Sequence, residues 1–180
     1  MKKFFNVCFI VLAISIHCSN VFAQTGMNAD SVIRVENQNR DTLIGTVYPP
    51  FHVALNGKQY SNKALKGKTV FINFWFAACV PCMQEMEELN KLYDKFKDKK
   101  DFEFISFTFD NAATIQRIKK KFHICYKVFT ISYKECYRLN MNTGFPTSIV
   151  LDRSGRFKYI SHLAQKDNFI QDVYPLIAIE

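Results

Sequence analysis

The sequence predicts an α/β protein in which a mixed central sheet is flanked by helices and preceded by an N-terminal β-hairpin. Three observations support this fold: an almost continuous apolar run at 69–76, helical periodicity from Pro81 onward, and an Asn56-Gly57 turn between two strand-like segments. Such an apolar run is typical of a strand buried on both faces, and Asn-Gly is a strong hairpin signal. The chain has 180 residues, of which 48% are hydrophobic and 22% charged, which is enough for one domain with a substantial core.

The first 23 residues are predicted to be a cleaved secretory signal that is not part of the fold. A basic start precedes an apolar stretch too short to span a bilayer, and small or aliphatic residues end it at Ala23. The alternative is a lipoprotein signal with Cys18 as the lipidated residue, although His17 stands where a small residue is usual. We therefore expect a periplasmic or secreted mature protein that begins near Gln24.

After the signal, a polar leader at 24–47 precedes a single predicted domain at 48–180. The leader ends in a short strand candidate at 42–47. The domain is predicted to contain, in order, hairpin strands 51–55 and 58–61, strand 69–76, a helix from Pro81 to Phe96, strand 102–109, helix 112–122, strand 126–132, helix 133–139, strands 147–151 and 156–161, and helix 167–177. Its βαβ portions imply a mixed sheet with helices on both faces.

The net charge of +8 does not by itself indicate a nucleic-acid partner. Basic residues are scattered, and the densest run, 117–121, lies on a predicted helix without interleaved aromatic residues. Such a run is usually a solvated helix face, so we expect no binding to nucleic acid.

Two cysteines, Cys79 and Cys82, stand where the apolar strand ends and the helix begins. A thiol on the first turn of a helix faces unpaired N–H groups and the positive end of the helix dipole, which stabilise its thiolate. We therefore expect Cys79 to be the exposed nucleophile and Cys82, one turn further in, to be its shielded partner. Pro81 suits the opening turn because it has no N–H to leave unpaired.

A zinc site and an inert structural disulfide are the alternatives for this pair. Zinc needs two further ligands, but Cys125 and Cys136 are far apart in sequence and the histidines show no ligand spacing. A purely structural disulfide would not explain the strand-to-helix position. We expect neither a metal nor an organic cofactor. Cys125 and Cys136 themselves could form a structural disulfide, stay as free buried thiols, or act as a relay pair.

Two motifs resemble those of a known family. The segment FWFAACVPCMQE at 74–85 resembles the F-W-A-x-W-C-x-P-C-x-x-E motif of the thioredoxin superfamily, specifically of exported TlpA/ResA-like thiol-disulfide oxidoreductases. The segment GFPTS at 144–148 resembles the cis-proline loop of that family. The resemblance covers about residues 48–177 and implies a thioredoxin fold, in which Pro146 is cis and faces Cys79 and Cys82.

The resemblance also implies roles for individual residues. The redox-active disulfide would join Cys79 and Cys82. The catalytic residues would be Cys79, Cys82, Glu85 and Pro146. The residues expected to bind substrate are Trp75, Val80, Pro81, Phe145 and Pro146, because the family presents the backbone of this region to an extended substrate segment.

Three positions depart from thioredoxin patterns. Ala78 replaces the tryptophan before the first cysteine, and Glu87 stands where the family often has proline, so we expect a straighter helix. Asn73 replaces the buried aspartate of cytoplasmic thioredoxins and cannot accept a proton at neutral pH. Glu85, three residues after Cys82, could take the proton of that thiol instead. The alternative is that Glu85 is a solvated helix acid.

These observations predict an exported thiol-disulfide oxidoreductase that acts as a monomer and reduces disulfides in other proteins. Reduction is favoured because TlpA/ResA-like proteins are typically reductases supplied with electrons by a membrane partner. A thiol peroxidase lacks support because the P-x-x-x-T-x-x-C arrangement is absent around Cys79. A non-catalytic binding or scaffold domain would leave the presence of both thiols, Pro81 and Pro146 unexplained.

Overall fold

The structure, a computed structural model, describes residues 40–161 and 169–178. The predicted signal at 1–23 and most of the predicted leader lie outside the described residues. In chain order the elements are β1 (His52–Leu55), β2 (Lys58–Ser61), α1 (Asn62–Leu65), β3 (Thr69–Phe74), α2 (Val80–Gln84), α3 (Met86–Phe96), β4 (Phe102–Thr108), α4 (Ala112–Phe122), β5 (Lys127–Thr130), α5 (Tyr133–Leu139), β6 (Thr147–Leu151), β7 (Phe157–Ile160) and α6 (Phe169–Ala178). Within these ranges, no helix combines the length and apolar character needed to cross a membrane.

The central sheet has five strands in the order β5-β4-β3-β6-β7. Strand β3 is parallel to β4 and antiparallel to β6, and β4 is parallel to β5, so the sheet is mixed as predicted. All six residues of β3 are buried, which agrees with its continuous apolar sequence. The parallel strands end at the same edge of the sheet, and the chain passes from the end of β3 at this edge into α2.

The two faces of the sheet carry separate hydrophobic clusters, because alternate residues of a strand point to opposite faces. Phe71 belongs to one cluster, together with the buried side chains of α3. Ile72 and Phe74 belong to the other, which also contains Tyr60 of the hairpin. Each fully buried large side chain contributes about 1.5–3 kcal/mol to folding, so both faces stabilise β3.

The N-terminal hairpin is present as predicted. Strands β1 and β2 are antiparallel and pair Leu55 with Lys58 next to the turn. Asn56 and Gly57 both have positive φ angles, of 51° and 76°, as a two-residue hairpin turn of this hand requires.

Two details of the predicted secondary structure are wrong. Residues 42–47 do not form the predicted strand: residues 42 and 43 are helical and residues 44–46 turn, with a φ of 80° at Gly45 and a hydrogen bond from the Thr46 N–H to the Leu43 carbonyl at 2.9 Å. At the end of this segment, Val47 forms an isolated bridge to Arg156. The predicted continuous helix after Pro81 is interrupted at Glu85, between α2 and α3, and the straighter course expected from Glu87 stays a prediction.

Candidate active site

The two cysteines form a disulfide where the chain leaves β3 and enters α2. Their sulfur atoms are 1.99 Å apart and their Cα atoms 5.2 Å apart. Cys79 is the N-cap residue of α2, and its Sγ accepts a hydrogen bond from the Cys82 N–H at 3.2 Å. Pro81 occupies the first turn of the helix, as predicted. This donor would also stabilise a negative charge on Cys79 Sγ after reduction.

The two cysteines differ slightly in exposure. Cys79 is only 6% exposed, so it is buried where the sequence predicted an exposed residue, and Cys82 is completely buried. Val80, between them, is 67% exposed and adds an apolar side chain to the surface beside Cys79. Of the two, only Cys79 offers any surface to a substrate disulfide, and the roles of nucleophile and resolving thiol stay predictions.

Glu85 is drawn into the protein by a buried amide. Asn73 of β3 is fully buried, and its Nδ2 donates to Glu85 Oε1 at 2.9 Å and to Ser148 Oγ at 3.2 Å. Burial raises the pKa of Glu85 to about 7, and the hydrogen bond from Asn73 offsets part of this rise. A carboxyl group with this pKa can both accept and release a proton near neutral pH. Glu85 is half-buried and hydrogen-bonded to Asn73, which disfavours the alternative of a fully solvated helix acid.

Asp110, which the sequence did not single out, holds the loop that leads to Cys79. It follows β4, and its Oδ2 accepts hydrogen bonds from the Ala77 N–H at 2.7 Å and from Thr108 Oγ1 at 2.9 Å. The loop between β3 and α2 is thereby tied to the end of the neighbouring strand. The only signal in the sequence was an acidic residue directly after a predicted strand.

The prediction that Trp75 contacts substrate is wrong. Trp75 is fully buried, and its Nε1 donates to Ser106 Oγ of β4 at 2.7 Å. Its ring belongs to the same hydrophobic cluster as Cys79 and Cys82. It therefore supports the disulfide from within the core and presents no surface to a partner.

We expect Ser106→Ala to lower the free energy of unfolding by about 1–3 kcal/mol, because the buried Trp75 N–H would lose its acceptor. Denaturant unfolding measures this loss. In a Trp75→Phe background, which lacks the donor, Ser106→Ala should have a smaller effect. Equal losses in both backgrounds would contradict the importance of this hydrogen bond.

The loop before β6 contains the predicted cis proline. The Phe145–Pro146 peptide bond is cis, which confirms this part of the prediction. Pro146 is buried, and half-buried Phe145 packs against the cluster that contains Cys79 and Cys82. The contacts of Val80, Pro81, Phe145 and Pro146 with substrate remain predictions.

The two remaining cysteines of the domain are free thiols. Cys125 is exposed, whereas Cys136 is buried, and burial raises the pKa of the Cys136 thiol to about 12. Cys125 and Cys136 therefore form no disulfide with each other, and the alternative that both are buried free thiols is also wrong, because Cys125 is exposed. Over the residues 40–161 and 169–178, no group of three or more His, Cys, Asp or Glu side chains is arranged to hold a metal ion.

The fold and this site define a thioredoxin-like thiol-disulfide oxidoreductase. The sequence model of the Redoxin family matches residues 44–173, and the chain belongs to that family. It is 32% identical over 138 residues to the thiol-disulfide oxidoreductase ResA of a Bacillus cereus strain, an alignment that covers 73% of this chain and 79% of the relative. It is 34% identical over 115 residues to ResA of Bacillus thuringiensis subsp. konkukian, covering 63% of this chain and 66%, just under two thirds, of that relative.

Solved structures show the same fold. The thioredoxin domain of a thiol-disulfide oxidoreductase from Bacteroides vulgatus superposes with a TM-score of 0.64 at 25% identity, covering 74% of this chain and 97% of that one. A thiol-disulfide oxidoreductase from Bacteroides fragilis gives a TM-score of 0.62 at 20% identity, covering 73% of this chain and 99% of that one.

Proposed function

We propose that this protein reduces disulfide bonds in other proteins through the Cys79–Cys82 pair. The observation that carries this proposal is the placement of the pair: Cys79 at the start of a helix with a small exposed fraction, a fully buried partner within disulfide distance, and Glu85 nearby with a pKa of about 7. The ResA relatives are named thiol-disulfide oxidoreductases, which supports the same chemistry here.

The proposed cycle begins with both cysteines reduced. The Cys79 thiolate attacks one sulfur of the substrate disulfide, and the other substrate sulfur leaves as a thiolate that takes up a proton. Cys82 then loses its proton, for which Glu85 is the proposed acceptor, and attacks Cys79 Sγ. The second substrate thiol leaves, and the Cys79–Cys82 disulfide described here is formed. In total, two electrons and two protons move from the protein to the substrate.

We further propose that the protein works outside the cytoplasm as a single chain. The support for export is the N-terminal sequence at 1–23, which has the pattern of a cleaved signal. Disulfides in client proteins are common in such compartments and rare in the cytosol. Each turnover leaves the protein oxidised, so the cycle needs an electron donor, and a membrane protein that carries electrons across the membrane would supply one.

Reduction of insulin with dithiothreitol as electron source tests the proposed function. Turbidity from the released insulin B chain should appear faster with the wild-type protein than with dithiothreitol alone. The Cys79→Ser/Cys82→Ser protein is the matched control, because it keeps the shape of the site without its sulfur atoms. A wild-type rate equal to that of this control would show that the domain is a non-catalytic scaffold.

A further inference from the structure

Five aromatic side chains form a closed cycle of ring contacts, and two of them, Phe76 and Phe145, pack against the hydrophobic cluster that contains Cys79 and Cys82. We call this cluster the aromatic shelf; its members are Phe76, Phe109, Tyr133, Tyr137 and Phe145. The ring centroids of successive members lie between 4.7 and 5.5 Å apart, and the cycle closes through the contact between Phe145 and Phe76. The rings come from four places in the chain: the loop after β3, the end of β4, helix α5 and the cis-proline loop.

The aromatic shelf remains partly open to solvent. None of its five rings is buried, and Tyr133 is 57% exposed. Helix α5 uses Cys136 and Leu139 for its buried face, whereas Tyr133 and Tyr137, one turn apart, line the shelf. One ring of the group is exposed and the other four are half-buried, and a contiguous apolar surface of this kind can mark a binding site. Tyrosine and phenylalanine are also enriched where proteins bind one another.

The aromatic shelf is continuous with the loop that carries the nucleophile. The Cys79 N–H donates to the Phe76 carbonyl at 3.0 Å, so the first ring of the shelf is fixed one turn from the reacting sulfur. At the other side, Phe145 directly precedes the cis Pro146. Ala78 is exposed and has only a methyl group, so it places no large side chain over Cys79. A polypeptide joined to Cys79 would therefore lay its neighbouring residues on or beside these rings.

We propose that the aromatic shelf binds the polypeptide segment next to the reacting cysteine of the substrate protein and selects an aromatic or large aliphatic side chain there. This inference rests on the proposed function, because the shelf meets a substrate only if Cys79 exchanges with its disulfide. Ring-to-ring contacts with the substrate would add a preference that hydrogen bonds to its backbone cannot supply, since backbone contacts are the same for every sequence.

Two synthetic pentapeptides and one small disulfide provide the probes. Each peptide holds its single cysteine in a mixed disulfide with 2-mercaptoethanol, flanked by phenylalanine in one peptide and by serine in the other. The small probe is 2-hydroxyethyl disulfide, which has no polypeptide segment. Each probe accepts two electrons and two protons to become two thiols, while Cys79 and Cys82 become a disulfide. Fluorescence of Trp75, the single tryptophan of the chain, follows the reaction in a stopped-flow instrument.

We expect the wild-type protein to react with the phenylalanine peptide about tenfold faster than with the serine peptide. Tyr133→Ala and Tyr137→Ala should each reduce this ratio about two- to fivefold, because each removes one ring from the shelf. The matched control Tyr133→Phe keeps the ring and should keep the ratio. Because the ratio compares two peptides on the same protein variant, a change that alters the reactivity of Cys79 equally toward both peptides cancels.

The possible outcomes separate the shelf from the proposed function. A wild-type ratio near one, or a ratio that both alanine variants leave unchanged, would overturn the inference while the protein remains an active reductase. If the wild-type protein reduces neither the peptides nor 2-hydroxyethyl disulfide, the proposed function fails, and the role of the shelf fails with it. Denaturant unfolding of each variant shows whether the shelf also stabilises the fold.

Discussion

Cys82→Ser should trap the substrate protein on Cys79 as a stable mixed disulfide. Cys79 keeps its place at the start of α2, where it has the larger exposed fraction of the two cysteines, so the first attack should still occur. The second step needs a thiol held next to Cys79 Sγ, and serine cannot supply it. Well-oriented intramolecular groups have effective concentrations of about 10⁵–10⁸ M, so millimolar thiol in solution cannot replace Cys82. We expect insulin reduction to fall by roughly a thousandfold.

The trapping experiment should use a Cys125→Ser background, because Cys125 is exposed and could form adducts of its own. Adducts are counted by non-reducing electrophoresis and mass spectrometry. In this background, Cys79→Ser should trap nothing, since its remaining active-site thiol, Cys82, is fully buried. Adducts on Cys79→Ser but not on Cys82→Ser would reverse the order of attack. Adducts on neither protein would contradict the proposed cycle.

The elements of the fold that were predicted correctly are those determined by short-range sequence patterns, namely the spacing of apolar residues and the residues of tight turns. All six residues of strand β3 are buried, and a strand buried on both faces has an almost continuous apolar sequence. This apolar run made β3 recognisable in the sequence. Helix α3 shows its apolar face through the spacing of Met86, Leu89, Leu92 and Phe96. The hairpin follows from the conformations that Asn56 and Gly57 readily adopt.

The sequence was less informative where side-chain environment depends on distant segments. Trp75 was expected to bind substrate from the family resemblance, but Ser106 on the neighbouring strand accepts its N–H inside the core. The Asn73–Glu85 hydrogen bond joins a strand to a position between two helices, and no local pattern contains it. The aromatic shelf is a similar case, since helix α5 contributes two of its rings from far along the chain.

The cis form of Pro146 depended on the family resemblance. Only about 5–6% of X-Pro bonds in folded proteins are cis, so local sequence alone favours the trans form. The surrounding GFPTS motif, together with the separation from FWFAACVPCMQE, made the prediction possible. Two motifs that must meet in space carry more information than either does alone.

Glu85→Gln should slow the resolution of a mixed disulfide by about 10²–10⁴-fold at pH 7, the usual contribution of a general base. Glutamine is nearly isosteric and keeps an oxygen that can accept the hydrogen bond from Asn73, but it cannot accept a proton. Stopped-flow measurement on protein loaded with a model mixed disulfide at Cys79 isolates this step. In the wild-type protein, the rate should rise as the pH passes through about 7, where Glu85 loses its proton. The glutamine variant should lack this rise.

The same substitution should change stability in a pH-dependent way. Burial raises the pKa of Glu85 from 4.5 to about 7, so between these pH values the folded state holds a proton that the unfolded chain has lost. The free energy of unfolding of the wild-type protein therefore falls as the pH rises through this window. Glu85→Gln removes this loss, and we expect the variant to be more stable by up to about 3 kcal/mol at pH 8, with little difference at pH 4.

Glu87→Gln is the matched control, because Glu87 is an exposed acid on the same helical region and forms only a surface ion pair with Lys91. Its effect on stability should stay within about 1 kcal/mol, and its resolution rate should equal that of the wild-type protein. The two measurements on Glu85 then test different claims. Greater stability at pH 8 together with a wild-type resolution rate would show that the half-buried Glu85 carboxylate destabilises the fold but accepts no proton from Cys82. Greater stability together with slow resolution would show that the protein keeps a destabilising carboxyl group at this position because that group serves the redox cycle.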